Sequence, residues 1–232
     1  MANNVTLSVL LPAYLEEENL RQLLPRLNEV VAGLGVSSEI IVIDTSSPMD
    51  NTREVCDQHH ATYLSREGGD FFGDAVRTGI LRARGEYILF MDADGSHPPE
   101  FIRNLWQKAA ESDVVIASRY IDGGATDNSR ILVAMSLLVN FIYSLVLNLK
   151  CKDVSNSFKL YRAQHLKELT LHCKNFDIVE EILFKIKRNH PALRIVELPF
   201  SFKKRMFGST KRNHIVFMFS FTFTLLRLRF GR

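Results

Sequence analysis

The stretch Tyr87-Ile-Leu-Phe-Met-Asp-Ala-Asp-Gly-Ser-His-Pro-Pro-Glu100 opens with five apolar residues and then turns acidic and Pro-rich. Its first part, Tyr87–Met91, reads as a short strand buried on both faces. The same pattern recurs to either side. Leu7–Leu11 is apolar and Glu16–Val31 has helical spacing. Glu39–Asp44 is followed by a helical Asn51–His60, and Ala61–Leu64 by Asp74–Arg84. Tyr87–Met91 leads into Pro98–Ala110, and Asp113–Ser118 is apolar again. Such alternation predicts an α/β fold, a mostly parallel sheet flanked by helices. Ligands on these sheets sit beyond the carboxyl ends of the strands, here just after Leu11, Ile43, Met91 and Ser118.

The chain has 232 residues, 46% hydrophobic and 24% charged, a balance that excludes disordered and collagen-like classes. Cys56, Cys151 and Cys173 are far apart and form no CxxC pair, so buried reduced thiols are expected rather than a disulfide scaffold or zinc ribbon. No basic segment precedes the first apolar run, which therefore reads as a strand and not a secretory signal.

Charge is distributed unevenly. No acidic residue follows Glu197, whereas eight Lys or Arg lie between Ser201 and Arg232, leaving 21 basic against 26 acidic residues in the rest. An anionic partner is implied. The tail also carries the uncharged run Ile215–Leu226 and five Phe between Phe217 and Phe230, which fits a membrane surface better than nucleic acid. Residues 219–224 alternate with period two, so helix and strand both stay open there. Ile131–Leu149 has no formal charge, but Ser136, Asn140, Ser144 and Asn148 recur every four residues. This polar stripe predicts a helix lying on the protein or in the membrane interface, with the stripe turned inward or toward a headgroup.

Chemistry concentrates at the strand ends. Asp92 and Asp94, two apart after a strand, are expected to share a face and form an oxygen site for Mg2+ or Mn2+. A cation there would bridge a diphosphate. Tyr14, after the strand-breaking Pro12, is placed to stack on a base or ribose, and Asp44 to accept hydrogen bonds from one. Arg119, Arg130, Arg205 and Lys211 supply cations for phosphates. A nicotinamide site would need a Gly-rich first turn, but Ala13-Tyr-Leu-Glu16 stands there, and neither GxxxxGK[ST] nor GxSxG occurs. Cys56-Asp-Gln-His-His60 reads as an exposed helix face, not a metal site.

Taken together, these residues resemble glycosyltransferase family 2, and within it the polyprenyl-phosphate sugar transferases of the dolichol-phosphate mannosyltransferase kind. The carrying elements are Pro12, Tyr14 and Glu16; Asp92-Ala93-Asp94 with Ser96-His-Pro-Pro; Ala117-Ser-Arg-Tyr120 with Gly123-Gly124; Ser129-Arg130 with Ser136 and Asn140; Asp153-Val-Ser-Asn-Ser-Phe-Lys159; Glu197-Leu-Pro199; and Arg205, Gly208 and Lys211. The resemblance implies a GT-A nucleotide-binding fold over 1–211, with 212–232 as a membrane-associating segment. It implies inverting transfer of a sugar, mannose favoured, from a nucleotide-diphosphate sugar to a polyprenyl phosphate. Pro12, Tyr14, Glu16, Ile43 and Asp44 would hold the nucleoside. Asp92, Ala93, Asp94 and Ser96 would surround the metal, Arg205 and Lys211 would reach the donor phosphates, and Arg119 and Arg130 would face the acceptor phosphate.

Departures are visible. Where the family carries two acids after the second strand, this chain reads Asp44-Thr45, with Asp50 in a longer loop as a candidate substitute, which leaves the base open between GDP and UDP; the resemblance favours GDP-mannose, with a UDP-sugar as the alternative. Leu15 replaces the usual Asn. The expected setting is the cytoplasmic face of a membrane, with peripheral attachment through Ile131–Leu149 and the basic tail. Transfer to a glycan or other small acceptor, and an inactive nucleotide-binding subunit, are the alternatives.

Overall fold

A computed structural model describes residues 5–208 and 223–230. In chain order the elements are β1 (Leu7–Pro12), α1 (Glu17–Ala32), β2 (Ser38–Asp44), α2 (Thr52–Gln58), β3 (Thr62–Ser65), α3 (Phe72–Arg82), β4 (Tyr87–Phe90), α4 (Ile102–Gln107), β5 (Val114–Ser118), β6 (Ala125–Thr126), α5 (Arg130–Val146), β7 (Lys159–Arg162), α6 (Ala163–Lys167), α7 (Ile178–Asn189), β8 (Ile195–Pro199) and β9 (Ser201–Phe202).

Seven strands form one sheet in the order β3-β2-β1-β4-β7-β5-β8, and β6 pairs with β9. All of the main sheet is parallel except β7, which runs antiparallel between β4 and β5. Alternate residues of each strand feed opposite faces. Leu7, Val9 and Leu11 pack under α1, α2 and α4, whereas Leu10, Ile88 and Phe90 pack under α3, α5 and α7. On α1, Leu20, Leu23, Leu24 and Leu27 follow helical spacing and are fully buried. Each such side chain contributes about 1.5–3 kcal/mol. The α/β architecture read from the sequence is therefore present.

Several local expectations are corrected. The helix expected over 98–110 is divided: a 3-10 turn at Pro99–Phe101, then α4, then a 3-10 turn at Ala109–Glu111. Pro99 opens the first 3-10 turn, where its missing N–H costs no hydrogen bond. Cys56 does not lie on an exposed face; it is fully buried beneath α1, and burial pushes its thiol up to about 12. All three cysteines are free and buried.

On α5 the polar stripe turns inward at Asn140, with Ser136 and Ser144 half-buried, whereas Asn148 lies beyond the end of α5 and is exposed. Asn140 is buried, donates to the Ser136 carbonyl (2.8 Å) and Ser155 Oγ (3.1 Å), and accepts from the Ser155 amide (2.9 Å). The opposite face leaves Ile131, Leu138, Phe141 and Leu145 more than half exposed. No helix among the described residues is long and apolar enough to cross a membrane.

Residues 223–230 are helical, which answers the helix-or-strand question for 223–226; 215–222 lie outside the described residues. Leu225 and Leu228 of this helix join the core under α5 and α7, and Thr224 donates to Asp177 (2.5 Å). Phe223, Leu226 and Phe230 face outward.

Candidate active site

A cleft of about 930 Å3 opens beyond the carboxyl ends of β1, β4 and β5. Pro12, Ala13, Tyr14 and Glu16 form one wall, and Asp92, Ala93, Asp94 and Ser96 form the floor. Volumes in this range hold nucleotide-sized ligands.

The acidic floor is built by a turn rather than by a strand face. β4 ends at Phe90, so Asp92 and Asp94 lie beyond the pleat and the expectation that they share a strand face is corrected. The turn is fixed from inside. The Asp92 amide donates to His97 Nδ1 (2.9 Å), and His97 Nε2 lies 3.1 Å from Asn156 Oδ1. The ring is therefore the neutral tautomer with its proton on Nε2. His97 is fully buried and stacks on Phe158 at 4.7 Å, and burial pushes its basicity below the ordinary value. The Asp92 carboxylate accepts from Ser157 Oγ (2.8 Å), and Asp94 accepts from the Ser96 amide (3.0 Å).

Gly95 takes φ +80, and a Cβ there would meet the Met206 side chain at 2.6 Å. The close approach exists because 203–207 straps across the turn: Lys203 N donates to Ser96 O (3.0 Å), and Met206 N to Asp94 O (2.9 Å). Ser96 Oγ is buried and has no hydrogen-bond partner among the described residues. Two carboxylates and an unsatisfied hydroxyl make an oxygen-only donor set, which fits a hard divalent cation such as Mg2+ or Mn2+.

Arg205 stands over this floor. Its Nη2 is 2.7 Å from each Glu16 carboxylate oxygen, and its Nη1 is 3.9 Å from Asp94 Oδ2. Glu16 in turn accepts from Asn19 Nδ2 (2.5 Å), so the first-strand wall, the acidic turn and the strap are joined by one charged network.

Arg119 reaches the cleft wall with its guanidinium engaged. Nε and Nη2 donate to Asp153 at 2.8 and 2.7 Å, and Nη2 also donates to Ser155 Oγ (2.9 Å). Burial opposes the Asp153 charge, but the Arg119 guanidinium and the Arg119 amide outweigh it and hold the carboxyl below the usual range. Glu197 accepts from the Asp153 amide (2.9 Å), the Lys152 amide (2.8 Å) and Ser118 Oγ (2.8 Å). Lys159, fully buried, donates to the carbonyls of Val154 (3.0 Å) and Asn156, and burial pushes its ammonium down from the ordinary value. The whole 153–159 segment is thereby folded around buried cations.

Other sequence-derived candidates are placed differently. Ile43 is a core residue beneath α3. Asp44 is buried, accepts from Tyr63 OH (3.2 Å), has its carboxyl raised by burial and does not reach the cleft wall. Thr45 Oγ1 donates to the Ser47 carbonyl (2.7 Å). Asp50 accepts from the Glu17 amide (3.1 Å) and the Thr52 amide (3.0 Å), serving the starts of α1 and α2. Arg130 is exposed at the first turn of α5, outside the cleft wall. Lys211 lies outside the described residues.

Two contributors were missed. His97 stood inside the quoted motif without a role. Arg66, buried just after β3, lines the cleft, donates to Asp70 O (2.7 Å) and to Ala13 O, and has an Nε with no hydrogen-bond partner among the described residues. A single Arg after a four-residue strand carries no sequence signal.

The cleft also has an apolar lining. Phe71, Phe72, Phe176 and Val179 contribute to it, as do Leu132, Met135 and Val139 of α5, and Phe72 and Val179 stand beside Pro12 and Asp92.

Comparison with known proteins gives a consistent result. The family model described as Glycosyl transferase family 2 matches residues 8–170. A dolichol-phosphate mannosyltransferase of Pyrococcus furiosus is 32% identical over 211 residues, covering 88% of this chain and 58% of that protein. This chain thus spans little more than half the length of that relative. An undecaprenyl-phosphate mannosyltransferase of Micrococcus luteus is 30% identical over 214 residues, 87% of this chain and 85% of its own. Among solved structures, glucosyl-3-phosphoglycerate synthase from Mycobacterium tuberculosis in complex with Mn2+, UDP and phosphoglyceric acid superposes with a TM-score of 0.75 at 19% identity, covering 97% of this chain and 79% of that one. The same synthase in complex with Mg2+ and UDP gives 0.74 at 18% identity, over 97% and 79%. At these identities the likeness is one of fold, which is GT-A-like.

Proposed function

The chain belongs to glycosyltransferase family 2, and from that premise we propose that it transfers a sugar, mannose favoured, with inversion from a nucleotide-diphosphate sugar to a polyprenyl phosphate. The observation that carries this reading is the mixed lining of one cleft, in which the acidic turn and the basic strap are joined by an apolar wall from α5. Relatives named as dolichol-phosphate and undecaprenyl-phosphate mannosyltransferases support mannose as the sugar; GDP-mannose as its donor is part of the proposal.

Pro12, Tyr14 and Glu16 would bound the nucleoside. Asp92, Asp94 and Ser96 would hold Mg2+ or Mn2+; when bound, the cation neutralises the diphosphate that leaves. Arg205 and the neighbouring Lys203 and Lys204 stand where donor phosphates need cations. The acceptor oxygen attacks the anomeric carbon as the bond to the nucleoside diphosphate breaks on the opposite face. A phosphate monoester, with a second pKa of about 6, is already mostly ionised at neutral pH and needs no strong general base. What it needs is positioning. Arg119, locked on Asp153, contributes by holding the 153–157 wall.

Helix α5 links this site to a membrane surface. It lines the cleft with Leu132, Met135 and Val139 and presents Leu138, Phe141 and Leu145 outward. A polyprenyl chain whose phosphate sits in the cleft would leave along that helix. Peripheral attachment at the cytoplasmic face through this apolar surface and the basic tail is part of the same proposal.

Thermal unfolding with GDP, UDP, ADP and their sugars, with and without Mn2+, tests the donor half. A Mn2+-dependent rise of about 5–10 °C at a hundredfold excess over Kd is expected with one nucleotide, GDP foremost. No rise with any of them would sink the donor assignment.

A further inference from the structure

Because β7 runs antiparallel, its end at Arg162 lies level with Tyr87 and near Val114, the starts of β4 and β5. Helix α6 therefore begins at the edge of the sheet opposite the cleft. There, three side chains from two elements meet: His165 on α6, Glu168 just after it, and His190 just after α7. Their donor atoms all lie within 4.8 Å of one another, and the two imidazole centroids are 4.4 Å apart.

His165 is the unexplained member. It is 7% exposed, and neither ring nitrogen has a hydrogen-bond partner among the described residues. The nearest anion, Asp113 Oδ1, is 3.7 Å from its Nε2, and that carboxylate is already shared with Arg162 Nε (3.4 Å) and the Arg194 amide (2.9 Å). A buried imidazole with two idle nitrogens is costly unless something binds it. Beside it, His190 Nε2 and Glu168 already contact each other.

We propose that His165, Glu168 and His190 form a second divalent-metal site, remote from the cleft and selective for Zn2+. Two imidazoles and one carboxylate suit a borderline cation, not Mg2+ or Ca2+. With bonds of about 2.0–2.1 Å, tetrahedral donors stand roughly 3.3 Å apart. The partly exposed Glu168 and His190 can close by side-chain rotation on the fixed His165, leaving the fourth position to water or Asp113. The cation would tie the short helix α6 and the residue after it to the end of α7, the helix whose first turn supplies Val179 to the cleft. Its effect is expected on stability.

The test uses the full-length chain stripped of metal. One equivalent of Zn2+ is expected to bind and to raise Tm by about 5–10 °C at a hundredfold excess over Kd. Co2+ in its place should give the intense visible absorption of a tetrahedral ion. Glu168→Gln and His190→Asn, both at partly exposed positions, should lose both signals while keeping the far-ultraviolet circular dichroism of the parent. Asp94→Asn should keep them, which separates this site from the cleft. Zn2+ binding that is equally tight in the two variants, or absent from the parent chain, overturns the proposal.

Discussion

Asp94→Asn is expected to lower kcat for sugar transfer by about 10^3-fold, roughly 4 kcal/mol of transition-state stabilisation, while changing stability little. The Asp94 carboxylate accepts one hydrogen bond from the Ser96 amide and faces Arg205 at 3.9 Å, so an amide can keep the first contact. What it cannot keep is the negative charge that a hard cation requires beside Asp92 and Ser96. The Mn2+-dependent thermal shift with nucleotide should vanish together with turnover. Steady-state kinetics and thermal unfolding on the same preparation check this, and unchanged turnover would remove the acidic turn from the chemistry.

Asp153→Asn should produce the largest loss of stability, about 3–5 kcal/mol, seen as a fall in Tm of about 6–20 °C. Asp153 is fully buried and accepts from the Arg119 amide, Nε and Nη2 and from the Asn156 amide. Neutralising it strands a buried guanidinium and turns an acceptor into a donor that faces donors. The sign of the pH dependence follows from the carboxyl being held below its ordinary value of 3.8. A depressed carboxyl contributes stability that is fully present above its unfolded pKa and lost as pH falls through the folded one. The gap between parent and variant should therefore be constant from neutral pH to about 5 and close only below 3.8. Removing both partners, as in Arg119→Met with Asp153→Leu, should recover much of the loss, because no charge is then left unpaired. Denaturant titrations of the three proteins measure each quantity.

Strands β1 to β5 were legible because each is a compact, largely apolar run, such as Leu7–Leu11 or Val114–Ser118, bounded by polar residues. The edge strand β8 was not read, and neither was β7. Two of its four residues are Lys159 and Arg162, and the buried ammonium of Lys159 is accommodated only by carbonyls of its own loop, which no periodicity records. The acidic turn and the Pro12–Glu16 wall were legible for a different reason: their chemistry is local, carried by residues two to four apart. The network that holds them in place is not local. Arg205 meets Glu16 across 189 positions, and His97 meets Asn156 across 59. Asp50 illustrates the opposite error, since an acid in a suggestive loop is consumed by helix starts. The imidazole pair of His165 and His190 was equally hidden, while the adjacent His59-His60 drew attention only because it is contiguous.

Transfer itself is the most direct measurement. The full-length chain would be incubated with Mn2+, labelled GDP-mannose and anionic liposomes carrying a polyprenyl phosphate, and the liposomes then floated. Label recovered in the floating fraction as a lipid-linked mannosyl phosphate, and absent with Asp94→Asn, is the expected result. Label that stays in the aqueous phase, with UDP-glucose behaving the same way and nucleotide binding intact, would contradict transfer to a lipid phosphate.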